Sequence, residues 1–397
     1  MPGEADHDGL LAGGVASGHG RIGGSAARAG GRLRMMRRWM LFSSGFVACV
    51  GALAVWASPA FAHEKWFQNP EGFPLRWDLF FRPLPLAFVG LALLATLVAA
   101  LLWRSRDGRG FLPGPLAFGA TDERRRALYG ILPLILGVHV AVPLLVNGVQ
   151  GTLFSPDNEL PGVWANFLGF AETFVALSLF YGAFTRIAAG ALGAMWVIGL
   201  FVLGLEPMLD NALYLGFAAF FFLAGRGPIS IDRVLFPRLE PPERTAPYAV
   251  PALRAGLGLG FIAVAFSEKF ANLPLAQAFL ERYPLNFTGA LGVPLSDEVF
   301  ILCAGTVELM LGLFILSGIF VREIVLLALV PTNLTLTVFN WNELIGHLPI
   351  YGALALLLIW EPGRKNLRLW IEGLHNSPST TLSSAKGNEP GDAANDG

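Results

Sequence analysis

Apolar stretches long enough to cross a lipid bilayer recur along most of this 397-residue chain. A helix needs about 20 consecutive apolar residues to cross the hydrocarbon core, and charged or turn residues separate these stretches. Hydrophobic residues make up 54% of the chain and charged residues only 14%, which is too little polar surface for a soluble protein of this length. The sequence therefore predicts an all-α membrane protein with nine transmembrane helices, at residues 84–103, 128–149, 162–184, 187–205, 209–224, 250–270, 300–321, 324–339 and 344–360.

The first 62 residues are typical of a disordered start followed by a secretory signal. Residues 1–34 are rich in Gly, Ala and Ser and are interpreted as disordered or as a mis-assigned start. Within residues 35–62, basic residues precede an apolar run that ends in Ala-Phe-Ala, which predicts a signal peptide cleaved after Ala62. An uncleaved first transmembrane helix is the alternative, because the run is nearly long enough to span a bilayer.

The distribution of Arg and Lys predicts which loops face the cytoplasm. Basic residues are concentrated in alternate loops, for example at residues 124–126 and 364–368, and cytoplasmic loops carry such an excess. The opposite loops, among them residues 147–161 and 340–343, are poor in basic residues and are predicted to be periplasmic, as is His63. We therefore expect a multi-pass protein of the bacterial inner membrane with a periplasmic mature N-terminus and a cytoplasmic C-terminus.

An internal repeat organises the predicted helices. Glu172 and Glu308 are 136 residues apart, and the residues around them recur at the same displacement, as Gly182, Phe184 and Arg186 and again as Gly318, Phe320 and Arg322. Each copy holds four helices, and an even number of helices gives both copies the same orientation in the membrane. The predicted organisation is a periplasmic interfacial segment at 63–83, an extra transmembrane helix at 84–103, a first repeat at 126–225, a cytoplasmic linker at 226–248, a second repeat at 249–361, and a cytoplasmic tail with a disordered end at 362–397.

The second repeat resembles the DoxX family of bacterial membrane proteins. The resemblance rests on an arginine that opens the first helix, the motif Ser-Glu-Lys-Phe at residues 267–270, and a glutamate within "GTVELMLGLFILSG" at residues 305–318. The first repeat is a diverged copy, with "VPLLVNG" where the Glu-Lys-Phe motif should stand. The family takes its name from a subunit of a thiosulfate:quinone oxidoreductase, and other members accompany assorted redox and metal-handling systems. The resemblance therefore implies a four-helix fold better than it implies a reaction.

Buried polar residues are the first group of candidate site residues. Glu172 and Glu308 each precede the glycine of a cytoplasmic turn by ten residues, which places them about 15 Å deep in the membrane. Together with His139 and Asn333, they are candidates for carrying a proton or binding a quinone head group. The alternative is structural: each glutamate donates one hydrogen bond between closely packed helices. Polar residues around Asn333 favour the second repeat as the functional one.

Residues predicted to be periplasmic form the second group. Glu268 and Lys269 lie in the Ser-Glu-Lys-Phe motif, and Glu343 and His347 share a helical face at the i, i+4 spacing. Cleavage after Ala62 would give His63 a free α-amino group beside its imidazole, and these two nitrogens with His347 suit copper. For Glu343 and His347 the alternative is interfacial: Trp341 anchors at the headgroups, and Asn342 and Glu343 cap the last helix. For His63 the alternative is a surface segment at residues 63–67, followed by an aromatic stretch lying along the membrane.

Two functions from different classes remain. The first is a membrane partner or subunit of a quinone-linked redox system, with a periplasmic or membrane redox protein as partner. The second is a carrier or accessory protein for copper or a small solute on the periplasmic side. A formal net charge of −1 argues against nucleic acid as a partner, and the motifs of soluble enzymes, such as a P-loop or HExxH, are absent from the sequence. The sequence therefore favours a protein without catalytic activity of its own, either as a non-catalytic subunit of an oxidoreductase or as a carrier or accessory protein.

Overall fold

The computed structural model describes residues 63–375, and the predicted signal peptide and disordered ends lie outside these residues. Within this range the chain forms helices, turns and one isolated β-bridge, and no strand. The α-helices are α1 (Glu64–Phe67), α2 (Trp77–Phe80), α3 (Pro83–Ser105), α4 (Asp122–Gln150), α5 (Val163–Tyr181), α6 (Thr185–Val202), α7 (Leu205–Asp210), α8 (Ala212–Ala224), α9 (Ile231–Leu235), α10 (Ala249–Val264), α11 (Leu273–Arg282), α12 (Asp297–Ser317), α13 (Val321–Ile359) and α14 (Arg364–His375). A π-helical turn, Ala265–Phe270, extends α10.

Seven helices of the described residues are long and apolar enough to cross a membrane. Two shorter apolar helices, Ala212–Ala224 and Glu343–Ile359, accompany them. The protein is therefore an all-α protein with several helices that suit a lipid bilayer, as the hydropathy pattern predicts. The seven are Pro83–Ser105, Asp122–Gln150, Val163–Tyr181, Thr185–Val202, Glu243–Phe270, Asp297–Ser317 and Val321–Phe339.

The longest helix, α13, doubles back on itself. Its 39 residues would extend about 58 Å if the helix were straight. Instead, Arg322 Nε donates to the carbonyl oxygen of Leu358 at 3.1 Å, and Tyr351 Oη donates to that of Thr332 at 3.0 Å. Both contacts place the reversal near residue 341, where the sequence predicts a loop.

Close helix contacts bring the bundle together around α4 and α10. α4 packs against α5, and α10 packs against α12. α8 in turn packs against α10, while α13 packs against α4. A Cβ atom on Gly256 of α10 would lie 2.6 Å from the Cα of Gly216 of α8, so only glycine permits this backbone approach.

The loops meet at two opposite ends of the bundle. At the arginine end, Arg125 and Arg322 both pair with Glu361. At the His63 end, segment 63–76 contacts the loops that follow α4 and α10, for example through Arg76 N–H, which donates to the carbonyl oxygen of Ala271 at 2.6 Å. The start of the predicted tail forms α14, which packs against α4 and buries Trp370 completely.

Candidate functional site

The segment that begins at His63 covers one end of the bundle and buries its own charges. Glu64 and Lys65 are only 2% and 8% exposed, although α1 is four residues long. Trp66 Nε1 donates to Ser155 Oγ at 2.7 Å, and Arg282 donates to the carbonyl oxygen of Phe67 at 2.9 Å. The interpretation of residues 63–67 as a surface segment is therefore wrong, because Glu64 and Lys65 point into the protein and find partners there.

The π-helical turn at the end of α10 supplies the opposite wall of the site. It contains Ser267, Glu268 and Lys269, which are all buried. A π-turn widens the helix by one residue and often occurs at functional sites. Here it directs three consecutive polar side chains towards the interior, which a regular α-helix would spread over about 200° of its circumference.

Lys269 is the centre of a buried ionic cluster. Its Nζ lies 3.1 Å from Glu308 Oε1, 3.5 Å from Glu64 Oε1 and 3.6 Å from Glu268 Oε2. Side-chain exposure of these four residues is 3% or less. Three carboxylates around one ammonium group make an acidic site, and the remaining oxygens Oε2 of Glu64 and Glu308 lack a hydrogen-bond partner in residues 63–375. Such oxygens are places where a proton can reside.

His63 closes this cluster from the outside. Its Nδ1 lies 3.4 Å from Glu268 Oε1, and the backbone N–H of Glu64 donates to Glu268 Oε2 at 3.0 Å. Burial lowers the pKa of His63, but the hydrogen bond and negative charge of Glu268 outweigh it and leave the pKa raised. Burial raises the pKa of Glu64 well above its usual range, although Lys269 opposes the shift.

Lys65 forms a second ionic contact beside the first. Its Nζ lies 2.6 Å from Asp210 Oδ2 and 2.8 Å from Glu206 Oε1, and Ser267 Oγ donates to Asp210 Oδ1 at 2.8 Å. Burial opposes the charge on Lys65, but Asp210 and the neighbouring acids raise its pKa. Burial also raises the pKa of Asp210 to about 6 in spite of Lys65.

Glu343 and His347 lie on the other side of His63. His347 Nδ1 is 3.4 Å from Glu343 Oε1, as the i, i+4 spacing predicts, and both side chains are at most 4% exposed. The imidazole rings of His63 and His347 have centroids 5.8 Å apart, and the indole of Trp66 stacks on His63 at 4.3 Å. Glu343 therefore does not serve as an exposed helix cap. Among residues 63–375, no group of three or more His, Cys, Asp or Glu side chains is arranged to hold a metal ion.

Glu172 has a different environment from Glu308. It is completely buried, and the backbone N–H of Phe154 donates to its Oε1 at 3.0 Å. No Lys, Arg or His of the described range lies within ion-pair distance of it. Phe154 belongs to the loop after α4 and has a left-handed backbone with φ of 66°. Glu172 therefore accepts a bond from a loop, where the structural alternative predicts that it donates one between helices, and it does not share a polar interior with Glu308.

The two remaining buried-polar candidates do not join the cluster. The ring of His139 bonds the carbonyl oxygen of Ile135 in its own helix at 2.8 Å. Asn333 was expected to be buried but is exposed, and its side-chain amide donates to the carbonyl oxygen of Leu329 at 2.6 Å. The neighbouring Thr332 and Thr335 are buried, so this helix turns its threonines inward and Asn333 outward.

Four residues of the site were not predicted: Glu64, Lys65, Glu206 and Asp210. A signal for them exists in the sequence, because charged residues are scarce and these four stand at the borders of apolar segments on the side with few basic residues. Sequence separation hides their proximity: Lys65 and Asp210 are 145 residues apart. Lys269 and Glu308 are both candidate residues in the sequence, but no sequence feature predicts that they form an ion pair.

A small cavity of about 50 Å³ opens beside the cluster. His63, Glu268 and Asp210 are among its lining residues. Ligand pockets usually measure roughly 300–1,000 Å³, so this one has room for a water molecule but not for an organic ring. The arrangement can therefore bind and pass protons, but it does not suit a quinone head group.

Comparisons of the chain with known protein families, curated proteins and solved structures find no match. The resemblance of the second repeat to the DoxX family remains a prediction from its motifs, and the site is described by its own geometry: a buried lysine among three carboxylates, covered by the segment that starts at His63.

Proposed function

We propose that the chain is a DoxX-like protein of the bacterial inner membrane with nine transmembrane helices in two parallel four-helix repeats after an extra first helix. The seven long helices and two shorter ones together coincide with the nine apolar stretches of the sequence. The reversal within α13 supports counting its halves as two crossings. Arginines collect at one end of the bundle, and this end is proposed to be cytoplasmic.

Matching turns and matching contacts support the repeats. Gly182 and Phe184 have φ of 67° and 54°, and Gly318 and Phe320 have φ of 77° and 48°. A left-handed phenylalanine is rare, so its recurrence at the same displacement favours a common origin. The last helix of each proposed repeat also packs against the first helix of the other, α8 on α10 and α13 on α4.

We propose that this protein is the membrane partner of a quinone-linked redox system and that Lys269 and Glu308 carry a proton in it. The observation behind this proposal is the ion pair itself, 3.1 Å long and 3% or less exposed in helices that suit a bilayer. Buried ionisable groups in a membrane are costly and mark proton or ion pathways. The water-sized cavity beside Glu268 supports proton exchange with the periplasm.

Purification in mild detergent tests the quinone link. We expect a co-purifying redox subunit, identified by mass spectrometry, and about one quinone per complex after solvent extraction, held by that subunit or between the two proteins because the cavity beside the cluster is too small for it. Reconstituted with that subunit, Glu308→Gln should lower the turnover, because glutamine keeps the shape but cannot titrate, while Glu172→Gln should not. Quinone at the level found with an unrelated multi-pass protein, or full turnover of Glu308→Gln, would contradict the proposal.

A second candidate is a carrier or accessory protein for copper or a small solute. The proximity of the His63 and His347 rings, 5.8 Å between centroids, favours it, and a free α-amino group at His63 would add a third nitrogen. Elemental analysis together with the intact mass tests this candidate. Bound copper in a chain that begins at His63 would support it, and a mass that includes earlier residues would exclude the N-terminal site.

A further inference from the structure

Two adjoining cavities lie at the arginine end of the bundle, away from the ionic cluster. One measures about 280 Å³ and has polar walls that include Arg254, Arg322 and Glu361. The other measures about 560 Å³ and is mainly apolar. Leu112 and Arg322 line both cavities. Together they form one site with a charged part and an apolar part, which we call the arginine groove.

Arg254 supplies a cation with unused hydrogen-bonding capacity. Within residues 63–375 it has no carboxylate at ion-pair distance, its Nε has no partner, and its Nη2 makes one long contact of 3.4 Å to the carbonyl oxygen of Leu316. Arg226 differs, because it donates to the carbonyl oxygens of Leu179 and Phe180 at 2.6 and 3.1 Å. Arg226 therefore caps a helix end with its guanidinium group. The guanidinium group of Arg254 makes only one long hydrogen bond and can donate others.

The acidic residues of the groove are already engaged. Glu323 accepts hydrogen bonds from the backbone N–H groups of Phe111 and Leu112. Glu361 pairs with Arg322 at 2.7 Å and with Arg125 at 3.4 Å. An anion in the smaller cavity would therefore contact the guanidinium groups of Arg254 and Arg322. Glu323 and Glu361 already have hydrogen-bond or ion-pair partners, which reduces their repulsion of the anion.

The apolar part of the groove offers an uncovered surface. It lies between the segment of residues 112–120 and the two halves of α13. Phe118 is 79% exposed and Leu326 42% exposed, and Arg124 lies at the rim. A hydrocarbon chain laid along this surface would cover it, with its charged end beside the arginines.

We propose that the arginine groove binds an anionic phospholipid, with its phosphate at Arg254 and Arg322 and one acyl chain against Leu326 and Phe118. Arginine suits phosphate because its planar group donates two parallel hydrogen bonds. Basic pockets at the headgroup level of membrane helices select anionic lipids in the same way. This site is independent of the proposed redox role, since it lies at the opposite end of the bundle.

Lipid binding to the full chain tests the proposal. Delipidated protein is titrated with phosphatidylglycerol and with phosphatidylcholine, and bound lipid is measured by native mass spectrometry. We expect about a tenfold preference for phosphatidylglycerol, which Arg254→Gln reduces to less than about twofold. Arg186→Gln is the control, because Arg186 does not line the arginine groove and stacks on Phe222 at 4.6 Å, so the preference should be unchanged.

A second variant keeps the test decisive if Arg254→Gln does not fold. Leu326 is exposed, so Leu326→Trp fills the apolar part of the groove without disturbing the core. It should weaken the binding of both lipids while the preference for the anionic lipid remains. Equal binding of the two lipids by the wild type would overturn the proposal. Binding of the soluble headgroup glycerophosphoglycerol as tight as that of whole phosphatidylglycerol would show that no acyl chain is held, and would also overturn it.

Discussion

Glu172 and Glu308 stand at equivalent places in the sequence pattern but have opposite surroundings. Glu308 pairs with Lys269 at 3.1 Å, in a cluster that also contains Glu64 and Glu268. Glu172 accepts one backbone hydrogen bond at 3.0 Å and has no cation partner among the described residues. A carboxyl group at the same position of two similar helices therefore serves a charged site in one half and helix-to-loop packing in the other.

The difference arises from what covers each glutamate. The loop after α4 covers Glu172 and offers a backbone amide from Phe154. The segment that starts at His63, together with the π-turn of α10, covers Glu308 and brings Glu64 and Lys269. A segment outside the two proposed repeats thus gives Glu308 a charged environment that Glu172 lacks.

The largest expected effect follows from removing the shared cation. Lys269→Met leaves three buried carboxylates without their lysine, and breaking a buried ion pair from one side costs about 3–5 kcal/mol. Thermal unfolding in detergent should show a large fall in stability, or no folded protein. Addition of Glu308→Gln to Lys269→Met should restore part of the loss; a fully stable Lys269→Met protein would contradict the ionic cluster.

Lys65→Met should have the next largest effect. The change removes the partner of Asp210, a buried acid, and of Glu206, which is 37% exposed, so we expect a loss of about 3 kcal/mol. The segment at 63–67 should also detach more often and be cut faster by a protease added to the detergent-solubilised protein. Lys365→Met, at an exposed pair with Asp122, is the control and should change little.

The pH dependence of stability should reveal Asp210. Its pKa is raised to about 6 from 3.8, so its contribution to stability is full below pH 4 and is lost as the pH rises through 6. The loss amounts to about 2 kcal/mol between pH 4 and pH 7. The free energy of unfolding should fall less steeply with rising pH in Asp210→Asn than in the wild type. An equal dependence on pH in both proteins would refute the raised pKa of Asp210.

The smallest effect is expected at Glu172. Glutamine keeps an oxygen that can accept from the Phe154 N–H, so Glu172→Gln should cost less than about 1 kcal/mol. Glu308→Gln should cost more, because Lys269 loses its nearest partner. If the two variants lose equal stability in the same unfolding assay, the two halves do not differ as described.

The fold could be predicted from the sequence much further than the site. Hydropathy located each apolar helix, and residue composition located the turn in α13, because apolar length and charge are local properties. The ion pair between Lys269 and Glu308 depends on the π-turn of α10. The inward direction of Lys65 depends on contacts with residues that are 141 or more positions away in the sequence. Asn333 is exposed and not buried, because the inward face of a helix depends on its neighbours. His139 lies outside the cluster, with one ring nitrogen bonded to its own helix.

A double-mutant cycle between Lys269 and Glu308 tests the ionic cluster most directly. The free energy of unfolding is measured for the wild type, Lys269→Met, Glu308→Gln and the double variant under the same detergent conditions. A coupling energy of at least about 1.5 kcal/mol is predicted for groups 3.1 Å apart in a buried site. Additive effects, with a coupling below about 0.3 kcal/mol, would show that the two residues do not interact and would contradict the cluster.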